Sequence, residues 1–286
     1  MNHLSLITVI TLTALLSLAH AQMDDVTLTF DARVNDELAS CSVTYEGVGT
    51  TDAAIEFTDL RFYVSNVGML TESGELVMLE LTQDSVWQTD NVALLDFEDA
   101  SGLCNGNSAM NATVTGSIPA AAYTALVFDL GVPEDLNHID AGTAPSPLNV
   151  TPMWWNWRGG YKFARIDMVG AGAGEDVPAW FLHLGSTGCM ADEAVMPPAE
   201  ACMRPNRVTV QLDGFDPAEN IIVADIGSLL SASDVGQSLE LAPPGCMSGP
   251  ADPDCEALFL QGFDLSQETG LCEDGVCSGQ LLFKAE

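Results

Sequence analysis

The chain reads as all-β: a single antiparallel β-sandwich-like domain whose long loops are tied down by disulfides. Three observations lead there. Apolar and polar residues alternate with period two in short runs bounded by Gly, Asp, Asn and Pro, the pattern of half-buried antiparallel strands. Stretches with a helical period are scarce. The eight cysteines are even in number and all follow the N-terminal segment, which in a secreted chain reads first as a disulfide framework.

The elements follow in order. Leu4 to Leu18 is a largely apolar run too short to span a bilayer comfortably, and Ala19-His20-Ala21 supplies the small-x-small pattern of signal-peptide cleavage. Residues 1–21 are therefore expected to be a signal peptide, although the segment before the apolar run lacks Lys and Arg, and residues 22–286 one domain. No later stretch is apolar and long enough for a membrane anchor. Strands are expected at Val26 to Phe30, Ile55 to Val67, Leu76 to Leu81, Tyr123 to Leu130, Lys162 to Met168, Ala179 to Leu184, Arg207 to Leu212 and Leu281 to Lys284. Helix is expected only in short pieces, Ile226 to Ala232 and Glu256 to Gln261. Ala141 to Pro152, Met190 to Arg207 and Leu241 to Asp254 carry prolines and read as long loops, the kind of segment that is usually functional or loosely ordered.

The formal net charge is −33, from 41 acidic and 8 basic residues. Nucleic acid and anionic membrane surfaces are poor partners for such a field, whereas cations and basic protein surfaces are favoured. The acids are scattered and hydrophobic residues make up 47% of the chain, so a folded core is expected and most of the charge is read as a solubility device. Three basic residues, Arg158, Lys162 and Arg165, gather in one stretch, where pairing with local carboxylates is the ordinary reading.

Among the cysteines, Cys189 with Cys202, Cys246 with Cys255 and Cys272 with Cys277 are close enough in sequence to be joined within each pair, while Cys41 and Cys104 stand alone. Thiolate metal ligation is the weaker reading, since no Cys-x-x-Cys occurs. Calcium has only Asp-rich turns to bind, Asp252-Pro253-Asp254 and Asp213-Gly214-Phe215-Asp216, and neither approaches a complete calcium loop. There is no Gly-x-Ser-x-Gly, His-Glu-x-x-His or phosphate-binding glycine loop, so no enzymatic activity is expected.

The chemistry-bearing residues are two histidines and the tryptophans between them. Once residues 1–21 are set aside, His138 and His183 are the remaining imidazoles, and Met153-Trp154-Trp155-Asn156-Trp157 lies between them. Neutral imidazole suits copper, zinc and nickel, so the pair either fills structural positions or shares one ion. His138 follows a loop, Pro133 to Asn137. Strand alternation puts His183 beside Phe181 and opposite Trp180, Leu182 and Leu184; the same alternation through the cluster would set Met153, Trp155 and Trp157 on one face and Trp154, Asn156 and Arg158 on the other. Unmodified indole has no in-plane lone pair and would have to be oxidised before it could bind a metal. Met190, Met196 and Met203 add soft thioethers that suit Cu(I) but match no motif.

Phe62 to Val67, Ala93 to Glu98, Gly131-Val132-Pro133 with Leu136-Asn137-His138, Trp155 to Phe163, and His183 to Cys189, taken in that order, resemble the MbnP-like family, the four-cysteine members of metallo-mystery pair systems. Cys41, Cys104, Cys189 and Cys202 look like the family's four, and the expected bonds are Cys41–Cys104 and Cys189–Cys202. Cys246, Cys255, Cys272 and Cys277 look like additions, paired locally. The resemblance implies a periplasmic or secreted copper-binding protein in copper acquisition or handling. Its partner would be a dihaem protein similar to cytochrome c peroxidases, which in related proteins oxidises a tryptophan to kynurenine; kynurenine and two histidines then hold Cu(I). On this chain His138 and His183 would be the ligands, with Trp155 the first choice for modification ahead of Trp157 and Trp154. The competing expectation is a secreted β-sandwich interaction module that binds a ligand such as a glycan without a metal.

Overall fold

The computed structural model describes residues 22–171, 179–193, 195–237 and 243–286; the expected signal peptide lies outside them. Two sheets pack face to face. The first is built on β1 (Met23–Val34), flanked by β4 (Thr113–Pro119) and β11 (Ile222–Asp225), with β13 (Phe283–Ala285) beyond β11. The second is built on the long β2 (Ala53–Thr71), which pairs with β3 (Val92–Asp96), β5 (Tyr123–Leu130) and β8 (Ala164–Gly170) along different stretches. Beyond β5 lies β10 (Val208–Asp213), and beyond β8 come β9 (Ala179–Leu184) and β12 (Gly245–Cys246). A separate two-stranded hairpin joins β6 (Trp154–Asn156) to β7 (Gly160–Tyr161).

The all-β sandwich expected from the alternation is what forms. Phe30 and Phe283 of the first sheet meet Phe62 and Phe128 of the second edge to face, with ring centroids 5.1–6.4 Å apart. Each of these rings is almost wholly buried, and aromatic pairs in this geometry add to the stabilisation that burial itself provides. Among the described residues two pairings are parallel, β1 with β11 and β9 with β12, a direction that alternation within a strand does not encode.

Boundaries differ in informative places. Leu76 to Leu81 is two strands: Leu76–Met78 pairs with β2, and Glu80–Leu81 crosses to pair with β4 of the other sheet. Lys162 and Phe163 link the hairpin to β8, which starts at Ala164. The helical pieces are α1 (Ile226–Leu230) and α2 (Pro253–Ala257), the second continuing into a π turn at Leu258–Gly262. Asp225 caps α1 by accepting from the Ser228 N–H, and Asp252 caps α2 by accepting from the Asp254 N–H, each filling a donor that the helix start leaves open. Asp252 is thereby committed to the backbone.

All four expected disulfides are present: Cys41–Cys104, Cys189–Cys202, Cys246–Cys255 and Cys272–Cys277. Among the described residues no helix is long and apolar enough to cross a membrane, and four disulfides fit a secreted or periplasmic protein.

Candidate metal centre

The face of the second sheet turned away from the sandwich core is covered by loops, and it carries charge. Asp59 and Arg61 on β2, Arg165 and Asp167 on β8 and His183 on β9 occupy one patch. In register, Arg61 lies opposite Arg165 and Asp59 opposite Asp167, so like charges face each other directly, which alone would destabilise the sheet. The side chains resolve this diagonally. Arg61 bonds Asp59 on its own strand, Arg165 reaches Asp59 at 2.9 Å and Asp167 at 2.7 Å, and His183 Nε2 sits 2.8 Å from Asp167 Oδ1. His183 thus ends a ladder of alternating charge.

Burial pushes the Asp167 carboxyl up, but the His183 contact and Arg165 outweigh it and hold that carboxyl below its ordinary range. An ionised carboxylate only accepts, so Nε2 is the His183 nitrogen that donates to Asp167, and in the neutral ring the lone pair is then on Nδ1. The His183 ring stacks on Phe181, with centroids 5.9 Å apart and planes 16° apart, as expected of neighbours on one strand face. Ser248 Oγ donates to the His183 carbonyl and accepts from the Gly185 N–H, fixing the end of β9.

His138 arrives on the loop after β5. Arg207 holds that loop by donating to the Val132 carbonyl at 2.6 Å and to Glu134 at 2.9 Å, while lying over the Phe163 ring. Asn137, fully buried, accepts from the Tyr161 N–H through Oδ1. Gly160 (φ +74°) makes this docking possible: a Cβ there would stand 2.6 Å from the Asn137 carbonyl oxygen. His138 Nδ1 lies 3.1 Å from the Trp157 carbonyl, which can only accept, so Nδ1 carries the proton and Nε2 presents its lone pair. That Nε2 is 3.1 Å from Asn137 Nδ2 and 3.3 Å from Cys202 Sγ. Burial pushes the His138 pKa down, towards the neutral ring.

The tryptophan hairpin neighbours both imidazoles. Its Trp157 carbonyl holds His138, and the Trp155 ring lies 6.5 Å from the His183 ring. Gly185 packs under Trp155, where a Cβ would come within 2.5 Å of the indole. The simple alternation expected through Met153–Trp157 breaks at Asn156, whose Oδ1 accepts from the Arg158 and Gly159 N–H groups to make a turn. Trp154 and Trp157 consequently meet edge to face, 5.8 Å apart, while Trp155 is directed to the His183 side. Trp155 also lines an open cavity of about 690 Å³ with Arg158, Cys189, Met190 and Met247. Among the described residues, Arg158 makes no ion pair, Lys162 donates to the Pro152 carbonyl, and Arg165 is the basic residue of the three that pairs with carboxylates.

A family model of MbnP matches residues 23–248. The chain belongs to the MbnP family. Its fold is similar to that of MbnP from Methylosinus trichosporium, with a TM-score of 0.79 and 30% sequence identity over 92% of this chain and 98% of that one. No curated protein sequence matches the chain. The MbnP match ends at Ser248, so Cys255, Cys272 and Cys277 lie beyond it and Cys246 at its edge.

Sequence reasoning singled out the histidines and tryptophans of this MbnP-family chain but missed the carboxylate behind His183 and the amide beside His138. A signal was present for the first: Asp59-x-Arg61 and Arg165-x-Asp167 place opposite charges two apart inside apolar strands, hence on one face. Asn137 had no comparable mark.

Proposed function

We propose that this protein binds one copper ion, as Cu(I), through His183 Nδ1 and His138 Nε2, and serves copper acquisition or handling outside the cytoplasm without being an enzyme. The observation that carries the reading is the pair of hydrogen bonds behind the imidazoles. One ring nitrogen of each histidine is tied to an oxygen acceptor, Asp167 or the Trp157 carbonyl, which directs the lone pair of the neutral ring to the other nitrogen; on His138 that lone pair meets the Asn137 amide, which a metal would displace. Metal-binding histidines are characteristically oriented in this way, and the bond to a carboxylate raises ligand basicity. Two neutral imidazoles are a donor set that suits copper.

Trp155 is the tryptophan best placed to take part, since its ring neighbours His183 and faces a solvent-reachable cavity. Oxidative ring opening to kynurenine would turn a non-coordinating indole into an aniline nitrogen and a carbonyl, adding a third donor. A dihaem peroxidase-like partner is the oxidant that the family resemblance implies. The strongly acidic surface favours approach of a cation and of a basic partner face.

The test is mass spectrometry of intact protein and peptides from chain produced with and without the dihaem partner, with metal analysis of the same samples. Copper at one equivalent and an oxidised Met153–Trp157 peptide only after partner exposure are expected. Chain that retains no copper in either sample would overturn the reading, and an unmodified peptide in partner-exposed, copper-bearing chain would remove the kynurenine alone.

A further inference from the structure

Among the described residues, one group of three potential ligands has its donor atoms within 4.8 Å of one another, and it is not the pair of histidines: it is His138, Cys189 and Cys202. The two cysteines are bonded to each other, and His138 Nε2 faces Cys202 Sγ at 3.3 Å. From this juxtaposition we infer that the Cys189–Cys202 disulfide is a redox gate over a second soft-metal site, a Cys2His site for Cu(I) that exists only when the bond is reduced.

Four features support it. The donor set has the right chemistry, since thiolates are the ligands that select Cu(I), and the His138 imidazole, giving up its contact with the Asn137 amide, completes a low-coordinate site. The imidazole is already oriented, because the Trp157 carbonyl holds Nδ1 and aims Nε2 at the sulfurs. The bond faces an open cavity on one side and is sheltered on the other: Cys189 lines the cavity beside Trp155, whereas Cys202 is 6% exposed. The two disulfides at Cys41–Cys104 and Cys246–Cys255 are buried at both cysteines, so they are poorer targets for an external reductant. His138 also lines a separate depression rimmed by Glu134, Asp135 and Glu200, which gives a cation its own acidic approach to the same site.

The reducing step needs a dithiol of the thiol–disulfide oxidoreductase class. One thiolate of the dithiol attacks Cys189 Sγ, the Cys189–Cys202 bond breaks, and its electron pair leaves with Cys202 as a thiolate beside His138. The second thiol of the reductant then displaces Cys189 and closes the reductant's own disulfide. Two electrons and two protons pass to the chain in all, giving two cysteine thiols. Binding of Cu(I) displaces the two thiol protons and leaves the copper oxidation state unchanged. The site shares His138 with the two-histidine site but does not rest on it, since neither His183 nor a modified tryptophan is required.

The experiment is an anaerobic Cu(I) competition titration against a chromophoric chelator. It compares oxidised full-length chain with chain treated with a phosphine reductant that is then removed, the reduced pair being located by alkylation and peptide mapping. Reduction is expected to tighten Cu(I) binding at least about 100-fold, as two thiolates join the donor set. Copper-edge X-ray absorption should then show two sulfur neighbours at about 2.3 Å. His138→Ala in the reduced chain should lose roughly 10-fold or more, and His183→Ala should still show the two sulfur neighbours once the pair is reduced. Cys189→Ser/Cys202→Ser should abolish the gain; if that variant fails to fold, alkylation of the reduced wild-type pair must do so instead. An unchanged affinity after confirmed reduction at Cys189 and Cys202, or an equal gain after the pair is blocked, would overturn the inference. Failure of the two-histidine reading looks different: oxidised chain without copper, and reduced chain that still gains it.

Discussion

Asp167→Asn separates a positioning role at His183 from a merely structural one. Asp167 uses both carboxylate oxygens, Oδ1 towards His183 at 2.8 Å and Oδ2 for Arg165 at 2.7 Å. Asparagine offers one acceptor and turns an NH2 donor towards the other partner, so one of the two contacts is lost. Loss of a hydrogen-bonded carboxylate behind a metal-binding imidazole typically weakens metal binding by about 10- to 100-fold, which is roughly 1.4–2.8 kcal/mol. Breaking a fully buried ion pair costs about 3–5 kcal/mol. Here the Arg165 side chain is 24% exposed and keeps Asp59, so a smaller cost, about 1–3 kcal/mol, is expected.

The control is Asp59→Asn, which removes a neighbour of Arg61 and Arg165 that does not touch His183. Cu(I) competition titration and denaturant unfolding of both variants separate the two effects. Both should be destabilised, and only Asp167→Asn should lose copper affinity by the amount given. Equal copper losses in the two variants, or none in Asp167→Asn, would refute the assignment of Asp167 as the residue that orients His183.

Three further outcomes follow from the same face and its supports. Burial raises the Asp96 carboxyl from 3.8 to about 7 against the opposing pull of Arg61; between those values the folded chain holds a proton that the unfolded chain has released, so this group lowers stability as pH rises from about 4 to 7. Asp96→Asn keeps an acceptor for the Glu98 N–H and should remove that slope, with a gain above pH 7 of up to roughly 4 kcal/mol in denaturant titrations. Removing Cys41–Cys104, which are 63 residues apart, should cost roughly 4 kcal/mol by loop-closure entropy, checked by urea unfolding of the Cys41→Ala/Cys104→Ala variant. Gly185→Ala drives a Cβ into Trp155 and the Tyr161 carbonyl, so it should displace the indole, shift its fluorescence and weaken copper binding while the disulfides remain intact.

Strand content was legible because alternation reports directly which face of a strand is buried, and Phe181 with His183 on one face of β9 is the plainest instance. Pairing direction was not, since the parallel contact of Phe181 with Gly245 depends on where a distant loop returns. The alternation through Trp154–Trp157 failed for a local reason: Asn156 can satisfy two backbone N–H groups from its own side chain, and a turn that does so outcompetes an extended strand. The histidines stood out in sequence because they were few. Their hydrogen-bond partners did not, because a carboxylate on a neighbouring strand and a carbonyl across a hairpin become neighbours only through register. The nearness of His138 to Cys202 is of the same kind, bringing together residues 64 apart.

Whether His138 and His183 hold one copper ion is read out by a Cu(I) titration of the oxidised chain and its His138→Ala/His183→Ala variant. One equivalent should bind to the wild-type chain, be lost in the double variant, and be partly lost in each single variant. Copper bound by the double variant with the affinity and stoichiometry of the wild type would contradict that expectation.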